Sequence, residues 1–421
     1  MSQKLTAPRG TLDVLPPDSA LYNFIAQTAR DVFAQYGFLE IQTPIFEHTE
    51  LFVRGVGETT DVVSKEMYTF LDKKERSLTL RPEGTAGAIR AYIEHNLGSA
   101  LPIQKLFYIG PMFRYERPQA GRLRQHTQVG CECIGASTPQ ADAEIIDLFC
   151  RFTGKLGLQN IKVMLNTLGD NDCRPKYKTA LQDYFRENLP NLCPDCQQRF
   201  EKNPLRILDC KSEGCKTIVG SCPVMLDYLC EPCKEHFETV KSILSDLKIN
   251  YDVNPLLVRG LDYYTHTVFE VQVSGLGAQN AIGGGGRYNH LVEELGGASV
   301  PALGFGSGIE RIALTLKNHQ IELPELTKKP VFIAALGTPA INQSLVLAQE
   351  LRNHNIPVML DYRFGSFKSQ FKYADKISAP FVLILGDNEI ERGVIMIKNM
   401  SSGEQKEYSL STPAEWLPIL K

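Results

Sequence analysis

Four arginines, Arg114, Arg117, Arg122 and Arg124, fall within eleven residues of the sequence. Guanidinium groups this close repel one another unless an anion or a carboxylate sits among them, and the planar fork of arginine clamps phosphate. Glu116 and Glu132 lie near enough in sequence for a salt-laced, solvated hairpin to account for the same residues. Further along, Arg259 and Arg311 add cations suited to phosphate, Glu83 adds a carboxylate suited to an amine, and Tyr263, Tyr264 and Tyr288 add phenols. This inventory fits phosphoryl or nucleotidyl transfer to a zwitterionic small molecule. Such chemistry rests on positioning and charge neutralisation more than on a proton-transfer residue. No Ser–His–Asp or Cys–His arrangement is legible.

Two C-x-x-C pairs, Cys193/Cys196 and Cys230/Cys233, are separated by 33 residues, with Cys210, Cys215, Cys222 and His236 between or near them. Four thiolates paired in this way suit one tetrahedral structural Zn²⁺. Reduced structural cysteines account for them equally well. Three glycine-rich stretches invite a dinucleotide reading, and Gly304, Gly306 and Gly308 do stand between a predicted strand and a predicted helix. They lack the surrounding βαβ unit and its acidic residue, and no P-loop lysine follows. These glycines, and Gly283–Gly286, read as backbone that approaches a flat ligand, or as flexible turns.

The elements that must position these groups follow from periodicity. Residues 107–135 read as two strands joined by a polar loop on Pro118, Gln119, Ala120 and Gly121, with period-two alternation ending at Val129, Cys131 and Cys133. Residues 19–36 carry helical spacing, with Asp18 or Ser19 as N-cap and Gly37 as the stop, followed by a strand that ends at Pro44. A strand proline marks an edge or an interface, so this unit is either a dimer-forming element or an ordinary helix–strand pair. A strand at 67–71 and then the stretch 78–84 precede a helix at 85–96 with Glu83 at its mouth, as a cap for the first-turn amides or as a ligand group. Arg81 beside it could equally make a structural ion pair with Glu83.

A helix at 141–156 and a strand at 161–165 lead into a stretch rich in charged helix formers that holds eight of the eleven cysteines. Residues 256–271 read as a strand pair or bulged strand, and 309–317 as a helix. After a polar linker at 323–330 the pattern becomes βαβα, which predicts a separate α/β domain.

At 421 residues, with 43% hydrophobic and 22% charged composition, the chain suits two or three globular domains. A net charge of −3 means that any RNA partner must be held by local basic surface. No apolar run reaches membrane-spanning length, the first residues have no apolar signal core, and an odd count of eleven cysteines points to reduced thiols or metal. The expected location is cytoplasmic.

Taken together, FRYERPQAGRLRQHTQVGCE, ALGFGSGIERI and YGFLEIQTPIFE match in order and spacing the three class II aminoacyl-tRNA synthetase signatures. LVRGLDYYTHTVFE and GGGGRYNHL resemble those that set the histidyl-tRNA synthetases apart within that class. The resemblance covers essentially the whole chain. It implies an α/β fold with an α+β catalytic core, an antiparallel sheet flanked by helices, an inserted helical Cys-rich module and a C-terminal α/β anticodon-binding domain. The implied boundaries are 1–169 and 251–322 for the core, 170–250 for the module and 323–421 for the last domain. The implied activity is ATP-dependent ligation of L-histidine to tRNA(His) through a histidyl-adenylate, with Mg²⁺ on the ATP and a homodimer formed through the Pro44 region.

The resemblance also implies roles. Arg114 holds the ATP α-phosphate and the histidine carboxylate, Glu116 contacts adenine, and Arg122 and Arg311 take the outer phosphates. Glu83, Gly84, Thr85, Gln128 and Glu132 surround the histidine ammonium; Tyr263, Tyr264 and Tyr288 lie around the imidazole; Arg259 stabilises charge at the α-phosphate. The candidate zinc ligands are Cys193, Cys196, Cys230 and Cys233. The loop 117–122 would meet the tRNA acceptor end, where the family senses an extra 5′ guanosine. Lys368, Gln370, Lys372 and Lys376 are candidates for RNA contact, or a solvated helix face.

The chain departs from the family at His126, where an aromatic, commonly Phe, supports adenine; imidazole can also stack there. A second departure is Leu123, which replaces a commonly larger or polar loop residue. Two rivals share the core. One is a catalytically inactive paralogue acting as ATP phosphoribosyltransferase regulatory subunit, which typically lacks the last domain. The other is a synthetase for proline or threonine, which LVRGLDYYT opposes.

Overall fold

The computed structural model describes residues 4–58, 60–119, 121–273 and 280–420. Ala120 of the predicted hairpin loop lies outside them. The chain divides into two compact units, Met1–Leu323 and Pro324–Lys421.

The first unit is built on an eight-stranded sheet. Its order is Leu39–Glu40, Gln104–Phe113, Gln125–Ile134, Ala302–Gly308, Ala281–Arg287, Thr265–Val273, Ile161–Thr167, Tyr251–Val253. All pairings are antiparallel except those made by the two short outermost strands. The long hairpin runs in unbroken register from Gln104 opposite Ile134 to Phe113 opposite Gln125. Its first strand stops at Phe113, so 114–116 belong to the connecting loop and not to the strand.

Period-two alternation gives this sheet two different faces. Phe107, Cys131 and Phe305 face the helices Asp18–Gln35, Pro139–Lys155 and Ile309–Asn318. There the buried ring of Phe33 meets Phe107, Phe152 and Phe305 edge-on at 5.3, 5.8 and 5.7 Å, and Phe149 stacks on Phe305 at 4.4 Å. The opposite face carries Gln128, Glu132, Gly304, Gly306, Gly284 and Glu270. It remains open for a ligand.

Helix Asp18–Gln35 starts without a side-chain cap, because Asp18 is already its first residue. Its end is a Schellman turn: Gly37, at φ +78°, donates to Ala34 O and Phe38 donates to Phe33 O. Residues 256–264 form no strand; they cross the end of the sheet as a loop before strand Thr265–Val273 begins. Arg259, Tyr263 and Tyr264 therefore sit on a loop that can turn inward, which a pleated strand would not allow. The glycines 283–286 are strand residues, not a turn.

Arg81 does not pair with Glu83. Buried, it donates to Pro111 O at 2.9 Å, Thr43 O at 2.9 Å and Thr43 Oγ1 at 3.0 Å, tying the Thr43–Pro44 bend to the hairpin. Arg287 and Asp142 form a fully buried pair, completed by the bond from Arg287 Nη1 to Ala136 O at 2.7 Å and by His236 Nε2 at 3.3 Å from Asp142. His236 belongs to helix Glu231–Asp246, so the cysteine-rich insert packs against the core at this buried ion pair.

The second unit is a five-stranded sheet in the order Val358–Leu360, Val331–Ala335, Phe381–Leu385, Val394–Asn399, Gln405–Ser409. The first three strands are parallel and the last two antiparallel. Trp416 is fully buried in its core and donates to Ser409 O at 3.1 Å. Gln370 is also fully buried: it accepts from Ala335 N at 3.0 Å and donates to Ala335 O at 2.8 Å and Gly365 O at 2.7 Å. It is a backbone staple and is removed from the RNA-contact set, whereas Lys368, Lys372 and Lys376 on helix Phe367–Lys376 are exposed.

Candidate active site

The open face of the first sheet forms a cavity of about 540 Å³. Its floor is glycine by necessity. A Cβ on Gly304 would strike Cys131 O and the Glu132 carboxylate, and a Cβ on Gly306 would strike the Gln128 amide. The two glycines let Glu132 and Gln128 cross the neighbouring strand, and Gly284 likewise leaves room for the Arg259 guanidinium.

At one end lie Glu83, Thr85, Gln128 and the three phenols Tyr263, Tyr264 and Tyr288. Glu83 is fully enclosed and accepts from the amides of Thr85 at 2.7 Å and Ala86 at 2.8 Å, so it caps helix Thr85–Glu94 while lining the cavity. Burial pushes its carboxyl above the ordinary range against these two bonds. Glu132 lies just behind the lining, hydrogen-bonded by Tyr108 Oη at 2.9 Å and by Tyr288 Oη. Burial raises its carboxyl to about 8, with the bond from Tyr288 pulling the other way. The phenols of Tyr263, Tyr264 and Tyr288 are pushed up by burial as well, which keeps them protonated as donors. Gly84 does not line the cavity; it is packed against the Tyr108 ring, where any side chain would collide.

The other end is cationic. Arg114, Arg122 and Arg311 line it together with Glu116 and His126. Arg114 Nε donates to Pro82 O at 2.8 Å, and Arg122 Nη1 lies 3.9 Å from Glu116 Oε2. Arg311 donates to Ala281 O, and burial with the nearby Arg122 lowers its affinity for its proton. His126 is held far below the ordinary imidazole range, at about 3, by burial and by Arg114, so it presents a neutral ring. Arg259 bridges the two ends, with Nη1 3.0 Å from Glu270 Oε2.

The structure sorts the four hairpin arginines into different roles. Arg114 and Arg122 line the cavity, whereas the Arg124 guanidinium lies 3.7 Å from the centre of the Tyr115 ring and its backbone N–H donates to Gly10 O at 2.7 Å. Arg117 is exposed on the loop. Sequence reasoning missed Glu270, Asp209 and Lys211, all on the cavity wall. Glu270 closes the LVRGLDYYTHTVFE signature and its alternation with Phe269 and Val271 marks it as facing the same side as the glycines. Asp209 and Lys211 carried no local signal.

The predicted zinc quartet is not brought together. Cys193 and Cys196 lie with Cys210 and Cys215, while Cys230 and Cys233 lie with Cys173 and Asp170. The reason is that Cys193 and Cys230 begin two different helices, Pro194–Lys202 and Glu231–Asp246, and each pair meets partners from its own side of the insert.

A family profile described as Histidyl-tRNA synthetase matches residues 10–169 and 224–312, and one described as Anticodon binding domain matches 330–418. A histidine--tRNA ligase of Desulforamulus reducens is 51% identical over 405 residues, 96% of this chain and 97% of the relative. One of Halothermothrix orenii is 49% identical over 409 residues, 97% of this chain and 98% of the relative. Among solved structures, the apo histidyl-tRNA synthetase of S. aureus has a TM-score of 0.83 at 38% identity, covering 98% of this chain and 100% of that one.

Proposed function

The chain belongs to the histidyl-tRNA synthetase family, and we infer that it is a ligase that charges tRNA(His) with L-histidine at the expense of ATP. The observation that carries this reading is one cavity with a cationic end, a carboxylate-and-phenol end, and Arg259 between them. Near full-length matches to histidine--tRNA ligases, together with the anticodon-binding match at 330–418, favour charging over a regulatory paralogue.

In the first step an oxygen of the histidine carboxylate attacks the α-phosphorus. The new P–O bond forms as the bond to the β-phosphate bridging oxygen breaks, and pyrophosphate leaves. The attacking group is already an anion, so no general base is needed. Arg114 holds both the carboxylate and the α-phosphate, and Arg259 stabilises charge gathering on the latter. Arg122 and Arg311 take the outer phosphates, while Glu116 and the neutral His126 ring receive adenine. Glu83 and Gln128 receive the histidine ammonium beside Thr85, with the charge of Glu132 close behind them. The phenol of Tyr264 as donor and the Tyr288 oxygen as acceptor, its O–H being given to Glu132, select the imidazole, with Tyr263 packed behind them. In the second step a terminal ribose hydroxyl of the tRNA attacks the activated carbonyl, the carbonyl–oxygen bond to AMP breaks, and AMP leaves with the hydroxyl proton on its phosphate. Mg²⁺ carried with ATP would supply further charge neutralisation, and the side-chain oxygen of Gln272 on the cavity wall is of the type such a hard cation takes.

Exposed apolar side chains at Leu39, Ile45 and Phe46, with Phe70 and Leu71 on the three-stranded sheet that Phe46–His48 forms with Ser77–Leu80 and Tyr68–Leu71, support a homodimer through this region. Eleven unpaired cysteines support a reducing, cytoplasmic location, and no helix among the described residues is long and apolar enough to cross a membrane. Exposed Lys368, Lys372 and Lys376 support tRNA contact by the second unit.

The test is ATP–pyrophosphate exchange with each of the twenty amino acids. Exchange driven by histidine alone is expected; equal exchange with proline, or none with any amino acid, overturns the assignment.

A further inference from the structure

The insert holds two groups of metal-type ligands where the sequence pattern offered one. In the first, the ligand atoms of Cys193, Cys196, Cys210 and Cys215 all lie within 4.8 Å of one another; in the second, those of Asp170, Cys173, Cys230 and Cys233 do the same. We propose that this chain carries two separate structural zinc ions in its insert, one bound by four cysteines and one by three cysteines and Asp170.

The spacing fits the ion. Sulfurs bound at about 2.3 Å on the corners of a tetrahedron stand roughly 3.8 Å apart, and a mixed sulfur–oxygen edge is roughly 3.5 Å. Cys193 Sγ and Cys210 Sγ are 3.8 Å apart, and Cys230 Sγ is 3.8 and 3.7 Å from the two Asp170 oxygens. No disulfide takes up any of these thiols. Soft thiolates in a tetrahedral set select zinc over the hard, oxygen-seeking cations.

The two groups also share a construction. In each, the first cysteine of a C-x-x-C pair stands at the N-terminus of a helix, and its backbone N–H points at the sulfur of a cysteine from another segment. Cys193 N donates to Cys215 Sγ at 3.2 Å, and Cys230 N donates to Cys173 Sγ at 3.0 Å. Amide donors directed at sulfur stabilise the thiolate form that a metal requires, as second-shell bonds do at metal centres. The same arrangement built twice from unrelated segments is not what packing of reduced cysteines alone demands. Residues 170–223, which hold six of the eight cysteines of the insert, lie outside the stretches matched by the family profile, so the family likeness does not assign them.

Each ion would brace a different part of the cavity. Cys210 stands between Asp209 and Lys211, both on the cavity wall, so the first ion holds that rim. The second lies at the end of strand Ile161–Thr167, with Cys233 Sγ 3.8 Å from His266 Nδ1 and Arg174, next to Cys173, donating to Tyr264 O at 3.1 Å. It therefore supports the backbone that carries Tyr263 and Tyr264.

The full chain, purified under reducing conditions without added zinc, is expected to contain two equivalents of zinc per chain by elemental analysis. Replacing the zinc with cobalt is expected to give thiolate-to-cobalt absorption scaled to two tetrahedral sites. Cys210→Ser and Cys230→Ser are each expected to lose one equivalent and keep the other. One equivalent or fewer in the unmodified protein, which needs no variant to fold, overturns the proposal. Loss of both equivalents from either variant, or one equivalent kept by a Cys210→Ser, Cys230→Ser double variant, overturns the separation of the sites.

Discussion

Arg259 Nη1 lies 3.0 Å from Glu270 Oε2, above the glycine strand, with the Gly284 position left bare beneath the guanidinium. The carboxylate aims the arginine across the cavity before any ligand arrives. Arg259→Ala is expected to lower histidine-dependent exchange by about 100- to 1,000-fold, as for loss of a donor to developing charge. Glu270→Gln keeps a hydrogen-bond acceptor but loses the charge, and is expected to lower kcat about 10-fold with little change in KM for histidine. A KM effect with kcat intact would show that Glu270 serves binding and not the aim of Arg259.

Glu132 supplies a pH signature. Its carboxyl, raised to about 8 by burial, is neutral in the empty site at pH 7, while an ammonium ligand requires the carboxylate. Binding of histidine is therefore expected to release about one proton at pH 7 and progressively less above pH 8. Calorimetry in buffers of different ionisation enthalpy measures this directly. Between the ordinary carboxylate value of 4.5 and about 8 the folded state holds a proton that the unfolded chain has lost, so this group makes stability fall as pH rises through that window. Glu132→Gln removes the fall. Its Tm is expected to gain on the unmodified protein as pH rises towards 8, even as histidine binding is lost.

Gly306 on the cavity floor and Gly285, which lies opposite Phe305 on the helix-facing side of the sheet, predict a split between two alanine substitutions. At Gly306 the added carbon meets the end of the flexible Gln128 side chain, which can swing aside. Gly306→Ala is expected to fold and to raise KM for histidine. At Gly285 it meets the Gly304 carbonyl of the adjacent strand, which cannot move without opening the sheet. Gly285→Ala is expected to cost about 1–3 kcal/mol or more in chemical denaturation. Equal stability of the two variants would contradict this split.

In the second unit, buried Gln370 and its exposed neighbours should behave differently. Gln370→Ala leaves the Ala335 and Gly365 backbone groups unsatisfied and is expected to destabilise the unit by about 1–3 kcal/mol. A triple Lys368→Ala, Lys372→Ala, Lys376→Ala variant is expected to keep its Tm and its pyrophosphate exchange while weakening aminoacylation of tRNA. Unchanged aminoacylation would remove these lysines from the RNA-binding surface.

The apolar residues around Pro44 predict the oligomer. Light scattering is expected to give twice the 47.0 kDa chain mass, and Leu39→Glu combined with Phe46→Glu is expected to give the monomer. A monomeric unmodified protein would refute the dimer.

What the sequence determined by itself is whatever depends on residue type, order and short-range period. The alternation ending in Val129, Cys131 and Cys133 assigned the buried side of the hairpin, and therefore placed Gln128 and Glu132 on the other. The polar linker and the return of βαβα periodicity announced the second unit, and ordered signatures collected the arginines, carboxylates and phenols of one site. Tertiary structure alone decided which partner each group meets. Arg81 turned to the carbonyls of Thr43 and Pro111, and Arg124 to Tyr115 and the Gly10 carbonyl. Gln370 turned inward from a helix face that looked solvated. The two C-x-x-C pairs went to separate partners because each opens its own helix. The physical reason is the same in every case. Local spacing fixes the direction of a side chain relative to its own strand or helix, but hydrogen bonds, ion pairs and metal geometry act over a few ångströms between segments far apart in the chain. Only packing brings those segments together.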